Sequence, residues 1–226
     1  MHAFTFSLPT QIVFGPGTET ETGKLIAGQG GHRVLVVYGG QSAVRSGLIA
    51  KVQASLTQAG LEQDTFGGIH PNPRLFQVRE GVEKAKAMNA DFILAVGGGS
   101  VIDASKAIAL GVANPEADLW DFWLRKQPVE HMLPVGAVLT ISAAGSETSD
   151  SAVLTRDDTM EKRGLSSQLF RPRFAVMDPE LTYTLPPYQI ACGVVDMMMH
   201  TLDRYFTSVT DNTLTDEIAE GVLRNA

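Results

Sequence analysis

A single cysteine, Cys192, stands in the whole chain, so no disulfide can form within it, and the composition suits a reducing compartment. No apolar run is long enough to cross a bilayer. The opening Met1-His2-Ala3-Phe4-Thr5-Phe6-Ser7 lacks the basic stretch and apolar core of a secretion signal. Clusters of lysine or arginine are missing too. With 18 basic against 25 acidic side chains the net charge is −7, and no basic stripe exists to track a nucleic-acid backbone. The acidic residues are dispersed, which serves solubility and marks no particular partner. Repeats and low-complexity segments are absent. These absences predict a cytoplasmic globular protein with neither a membrane nor a nucleic acid as partner. Any phosphate it binds must be held by backbone N–H groups and a few isolated cations.

What is present is ordinary in bulk and informative in pattern. The 226 residues, 44% hydrophobic and 19% charged, suffice for one large core or two smaller ones. Phe4-Thr5-Phe6 and Gln11-Ile12-Val13-Phe14 alternate about Pro9-Thr10 and suggest a short opening hairpin. Val34-Leu35-Val36-Val37-Tyr38 and Phe92-Ile93-Leu94-Ala95-Val96 are nearly unbroken apolar runs, as expected of strands buried on both faces. Residues 135–141 and 174–177 read as two more strands. Between them, Val44, Leu48, Val52 and Leu56 recur every fourth residue and predict a helix over 44–58, closed by Gly60. Further helices are expected over 78–88 and 100–112. Strands alternating with helices imply an α/β fold, a parallel sheet with helices on both faces. From Pro186 onward the strand signals vanish. The expected organisation is therefore an α/β domain over 1–180, followed over 181–226 by the beginning of an all-helical domain.

Two glycine-rich turns fall at strand ends. The strand at 92–96 runs into Gly97-Gly98-Gly99-Ser100, with Asp103 three residues on. Three glycines permit tight turning and close approach of the backbone to a ligand. Ser100 is placed to cap the next helix and Asp103 to return a bond to Ser100. Free N–H groups at that helix start, with the helix dipole behind them, would hold a pyrophosphate. A tight strand-to-helix connection alone is the plainer alternative, although it needs fewer glycines. The spacing matches neither the usual dinucleotide fingerprint nor a P-loop. The second turn is Gly39-Gly40-Gln41-Ser42, after the strand at 34–38. No carboxylate stands between Gly39 and Leu61, so nothing there repels a 2′-phosphate, and Ser42 and Arg45 could hold one. The turn thus favours NADP(H) over NAD(H), unless selection lies elsewhere.

Pro186-Pro187 suits the start of a helix, expected to run to about Phe206. Within its apolar stretch Asp196 and His200 stand at i and i+4 and share a face. A buried carboxylate there would need a partner, either a divalent metal held by both groups or a direct Asp–His hydrogen bond. Two ligands alone do not complete a catalytic site. His2, His32 and His70 lie in the opening segment or in loops and read as surface residues, and His131, ahead of a strand, has no acidic or histidine neighbour at helical spacing. Met197-Met198-Met199 reads as core or pocket wall. Trp120 and Trp123 read as packing between layers, and residues 115–127 are also a candidate wall for a substrate pocket.

Taken together, Gly97-Gly98-Gly99-Ser100-Val101-Ile102-Asp103-Ala104-Ser105-Lys106, Pro71-Asn72-Pro73, Gly145-Ser146-Glu147 and the stretch from Asp178-Pro179-Glu180 to Gly193-Val194-Val195-Asp196 and His200 resemble the iron-dependent alcohol dehydrogenases. The likeness is to the branch of butanol dehydrogenases and NADPH-dependent aldehyde reductases, and it covers essentially the whole chain. It implies a dinucleotide domain in front and a helical metal-carrying domain behind. It implies that the 97–100 turn holds the pyrophosphate, that Asn72, Thr140 and Lys162 lie near the cofactor, and that the 39–42 turn is of NADP type. Asp196 and His200 then match the first two ligands of an iron or zinc ion. The family's two further histidine ligands would fall beyond residue 226, so the chain is expected to be C-terminally incomplete, cut within a helix.

The expected chemistry is reversible hydride transfer between NADP(H) and a primary alcohol or short aldehyde, assisted by Fe²⁺ or Zn²⁺, in a homo-oligomer. No side-chain base is expected in this chain. The alternatives are a silent fragment that still binds dinucleotide, or an NAD-linked polyol dehydrogenase of the same architecture. A phosphorylated substrate would need several cations near Asp196, and only Arg204 is close in sequence.

Overall fold

The structure, a computed structural model, describes residues 5–208 and 211–226. Its centre is a six-stranded sheet in the order β1-β8-β5-β4-β2-β3, parallel at every pairing. The strands are β1 (Gln11–Phe14), β2 (Arg33–Tyr38), β3 (Glu62–Phe66), β4 (Phe92–Gly97), β5 (Val135–Leu139) and β8 (Phe174–Met177). β6 (Ser151–Thr155) and β7 (Lys162–Ser166) form a separate antiparallel pair. The helices are α1 (Thr22–Gly28), α2 (Ser42–Arg45), α3 (Leu48–Gln58), α4 (Leu75–Ala87), α5 (Gly99–Ala113), α6 (Leu119–Trp123), α7 (Pro187–Tyr205) and α8 (Thr213–Asn225).

Alternation along the strands divides the core into two layers, one on each face of the sheet. Val34, Val36, Phe92, Leu94 and Val96 turn to the layer containing Ile26 of α1 and Leu48, Val52 and Leu56 of α3. Leu35, Val37, Ile93 and Ala95 turn to the opposite layer, with Val78 of α4, Ile108 of α5 and Trp123 of α6. Burial on both faces is why β2 and β4 read as continuous apolar runs. Among the described residues, no helix is long and apolar enough to cross a membrane.

The sheet order places the ligand-binding edge. β2 connects outward to the edge strand β3, whereas β4 lies on the other side of β2 and connects to β5 in the opposite direction. The chain thus reverses direction between β2 and β4, and a crevice opens there beyond the carboxyl ends of the strands. Both glycine-rich turns leave from this point.

Several elements depart from expectation. The opening hairpin does not form. Phe4 lies outside the described residues, as does His2; residues 5–9 carry no strand, and β1 instead pairs in parallel with β8. An isolated two-stranded hairpin is marginal in water, whereas the edge of a large sheet offers a ready ladder. The helix expected over 44–58 is two helices, because Gly47 adopts φ 79 between α2 and α3 and a left-handed residue ends a right-handed helix. β3 was not expected; its sequence Glu-Gln-Asp-Thr-Phe is polar because it lies at an edge of the sheet. The β6–β7 pair was not expected either, since β7 buries only Leu165 of its five residues.

Beyond β8 the chain is helical. Asp178 bridges the transition: its carboxylate accepts from Gly17 N at 2.9 Å and from Glu180 N at 2.8 Å, tying the turn after β1 to the turn after β8. α7 then approaches the sheet at Gly193, where an added Cβ would stand 2.4 Å from the carbonyl oxygen of Ser142. Only a residue without a side chain permits this contact.

Candidate functional site: a glycine turn at the sheet edge and an aspartate–histidine pair

α5 begins directly from β4. Gly98 is its N-cap in extended conformation, and no side chain caps it. The capping expected of Ser100 and Asp103 is therefore absent. The helix starts at Gly99, which puts Ser100 inside the first turn, where its hydroxyl cannot cap. Ser100 Oγ instead accepts from Asn72 N at 3.1 Å. The N–H groups at the start of a helix have no acceptor within it; here Val101 N and Ile102 N turn back to Gly98 O, which leaves those of Gly99 and Ser100 at the helix start.

Close packing explains the glycines. A Cβ on Gly98 would fall 2.5 Å from Ile141 Cγ2, and one on Gly97 would fall 2.6 Å from Val101 Cγ2. Gly39, at the end of the neighbouring strand, lies against the same Val101, so the two turns are adjacent. Thr140 N donates to Gly97 O at 3.2 Å. Asn72 holds φ 58, unusual for a residue with a side chain, and its Oδ1 accepts from Lys162 Nζ at 2.7 Å. Asn72, Ser100 and Lys162 thus form one connected group beside the 97–100 turn, although they are 90 positions apart at the extremes. Ser42 and Thr140 line a cleft of about 810 Å³, together with Lys51, Asp178, Pro186 and Gln189. That cleft lies between the edge of the sheet and the start of α7. Gly40 has open space around its α-carbon, and Gln41 is the N-cap of α2.

Behind the turn lies a polar network that the sequence reading passed over. Asp103 accepts from Ser146 Oγ at 2.5 Å and from Val153 N at 3.0 Å. Burial pushes its carboxyl upward from the ordinary value, against the bonds from Ser146 and Val153 and the nearby charge of Lys106. Lys106 is completely buried. Its ammonium donates to the carbonyls of Ser146 at 2.8 Å, Ser149 at 3.1 Å and Ser151 at 2.8 Å. Burial lowers Lys106 to about 8, while Asp103, Glu147 and Asp150 act in the other direction. Burial likewise raises Glu147. One signal could have found this network: Asp103 and Lys106 stand three residues apart in a helix run from Val101 to Leu110 that is otherwise apolar except for Ser105, and charges so placed must have partners.

Asp196 and His200 do share a face of α7, with His200 Nε2 3.7 Å from Asp196 Oδ1. They are not buried as the apolar sequence around them implied; their side chains are 44% and 51% exposed. The reason is that α7 meets the residues before it mainly at Gly193 and otherwise packs on α8, leaving Val195 and Met199 open to solvent. The Met triplet is accordingly half-exposed rather than core. A carboxylate and an imidazole one turn apart suit a divalent cation such as Fe²⁺ or Zn²⁺ in chemistry and direction. Among the described residues, however, no third His, Cys, Asp or Glu joins them, so the pair alone does not make a metal site. His32, His70 and His131 are exposed and distant in sequence from any such group.

The candidate substrate wall at 115–127 lies elsewhere. None of its residues lines the cleft beside Thr140. Trp120 and Trp123 are buried in the layer under α5, and Trp123 Nε1 donates to Ala152 O at 3.3 Å.

Comparison with known proteins accords with this arrangement. The family model described as iron-containing alcohol dehydrogenase matches residues 9–179. The NADH-dependent butanol dehydrogenase A of Clostridium acetobutylicum is 40% identical over 224 residues, which is 99% of this chain and 57% of that protein. The NADPH-dependent aldehyde reductase YqhD of Escherichia coli is 39% identical over 225 residues, again 99% of this chain and 57% of its own length. The crystal structure of NADH-dependent butanol dehydrogenase A from Thermotoga maritima superposes with a TM-score of 0.95 at 42% identity, covering 99% of this chain and 56% of that one. The chain therefore spans a little over half the length of these relatives. A parallel sheet with glycine turns at its switch point, matched by the family model over most of its length, assigns this chain to the iron-containing alcohol dehydrogenase family.

Proposed function

We propose that this chain binds NADP(H) across the 39–42 and 97–100 turns and takes part in hydride transfer between that cofactor and a primary alcohol or short aldehyde. The observation that carries the reading is the adjacency of the two turns at the sheet's switch point, with α5 starting at Gly99 directly from the end of β4. The N–H groups of Gly99 and Ser100 and the helix dipole would hold the pyrophosphate. Asn72, Lys162 and Thr140 would wall the cofactor, and Asp103 would act from behind by fixing Ser146. Gly39 and Gly40 would let the ribose approach the backbone. Gln41 and Ser42, at the start of α2, would face its 2′-phosphate, with Arg45 close in sequence.

Asp196 and His200 would hold a divalent metal, Fe²⁺ or Zn²⁺, whose contribution is to polarise the substrate oxygen. Their exposure leaves both side chains open to a metal and to further donors.

Two rival readings have specific support. NAD(H) is favoured by relatives named for NADH, which are as similar to this chain as the one named for NADPH. Dinucleotide binding without turnover is favoured by the donor count at Asp196 and His200. Titrations with NADPH and NADH decide the first: affinity for NADPH about tenfold higher supports the proposal, and the reverse order transfers it to NAD(H). Oxidation of NADPH by butyraldehyde with Fe²⁺ or Zn²⁺, and its loss with EDTA, decides the second. Failure to bind either nucleotide overturns the whole reading.

A further inference from the structure

We infer that Lys106 is a positioning residue for the nucleotide, whose ammonium pins the 145–151 segment against the turn that receives the pyrophosphate. The inference rests on the proposed nucleotide site and extends it to a residue with no access to the cofactor.

The geometry is that of a clamp. Lys106 lies in the second turn of α5, the helix that starts at Gly99. Its Nζ reaches three successive points of one segment, the carbonyls of Ser146, Ser149 and Ser151, with the hydroxyls of Ser146 and Ser149 at 3.3 and 3.2 Å. An ammonium has three protons, matching the three carbonyls. Asp103, one turn earlier on the same helix, takes the hydroxyl of Ser146 and the N–H of Val153. The helix therefore grips both ends of the segment. Ser146 Cβ stands 3.8 Å from where a Cβ of Gly99 would lie, so the gripped segment forms the wall of the turn itself. A fully buried lysine whose hydrogen-bond acceptors are all uncharged is costly unless something depends on its place. The chain instead surrounds it with compensating charge: Asp103 on its own helix, and Glu147 and Asp150 in the segment. Arg171 opposes them and pairs with Asp150 at 3.5 Å.

Because burial lowers Lys106 to about 8, the clamp is charged at neutral pH and loses one proton in mild alkali. A neutral amine has two N–H groups for three carbonyls, so one grip is released. The effect on folding has the opposite sign. The folded-state value lies below the ordinary 10.5, so between about 8 and 10.5 the unfolded chain binds the extra proton and stability rises with pH. A residue that served stability alone would not weaken nucleotide binding while the fold grows firmer.

The test compares the wild-type chain with Lys106→Met and Ser149→Ala. NADPH affinity is measured from about pH 7 to about 9.5, together with the urea midpoint and hydrogen-exchange protection of residues 145–151. In the wild type, affinity falls about tenfold across that range and the protection of 145–151 falls with it, as expected for the loss of one charge-assisted bond. Lys106→Met binds about tenfold more weakly at pH 7 and shows no further fall. Its urea midpoint, subtracted from that of the wild type, gives a difference that rises with pH. Ser149→Ala keeps the pH dependence. Wild-type affinity and protection that stay level across this range overturn the inference, whether or not Lys106→Met folds. Lys106→Met with wild-type affinity overturns it as well. If the wild type binds no nucleotide at any pH, the proposed site has failed, and exchange of 145–151 still decides the clamp.

Discussion

Lys162 illustrates what a single residue does here. It lies on β7, outside the main sheet, and reaches 2.7 Å to Asn72, which in turn donates to Ser100 in the first turn of α5. Lys162→Ala is expected to weaken NADPH binding by about tenfold, since it removes one charge-assisted bond and frees Asn72. The urea midpoint should be nearly unchanged, because exposed surface substitutions alter stability by about 0.5 kcal/mol or less. Titration and denaturation of the same preparation check both halves. At this scale legibility was uneven. Gly97, Gly98, Gly99 and Ser100 stand out as a candidate turn because they are consecutive at the end of an apolar strand run. Asn72, Thr140 and Lys162 carry no local pattern, and only the family resemblance suggested them. The partners of Lys106 are carbonyls 40 to 45 positions away, so its contacts leave no mark on the sequence around it.

The elements divide by how their sequences see solvent. β2, β4, β5 and β8 could be read because burial on both faces leaves their centres almost wholly apolar, with Arg33 at the partly exposed start of β2 the one charged exception. β3 and β7 could not, because an edge or a solvent face admits polar side chains that resemble a loop. α7 was readable in extent yet not in environment: its apolar sequence implied burial, whereas Tyr188, Ile190, Val195 and Met199 are exposed. Its docking depends on Gly193 against Ser142 O. Gly193→Ala would overpack that contact at a cost of about 1–3 kcal/mol. Because α7 otherwise packs chiefly on α8 and not on the sheet, the loss should be local. Hydrogen exchange across α7 is expected to rise steeply while the sheet strands keep their protection; unchanged exchange in α7 would refute this account of its docking.

For the molecule as a whole, both of the last two helices carry exposed apolar side chains. Leu214, Ile218 and Val222 of α8 are exposed, as are the side chains already named on α7. Large contiguous apolar patches drive association in water. This chain by itself is therefore expected to self-associate and to bind a hydrophobic dye. Sedimentation velocity checks it, and a monodisperse monomer at tens of micromolar would contradict it. The net charge of −7 opposes association, so the effect should grow with salt as screening increases.

The pairing of β1 with β8 has a further consequence, one of time. Gln11 is opposite Phe174, and Phe14 is opposite Met177, so the first strand to leave the ribosome finds its neighbour only after some 160 further residues have followed. Every other strand of the main sheet meets a partner across a much shorter stretch of chain or inserts between strands already present. Closing so long a loop costs entropy before the ladder returns anything. β1 therefore waits, and the sheet completes itself at the strand that was made first.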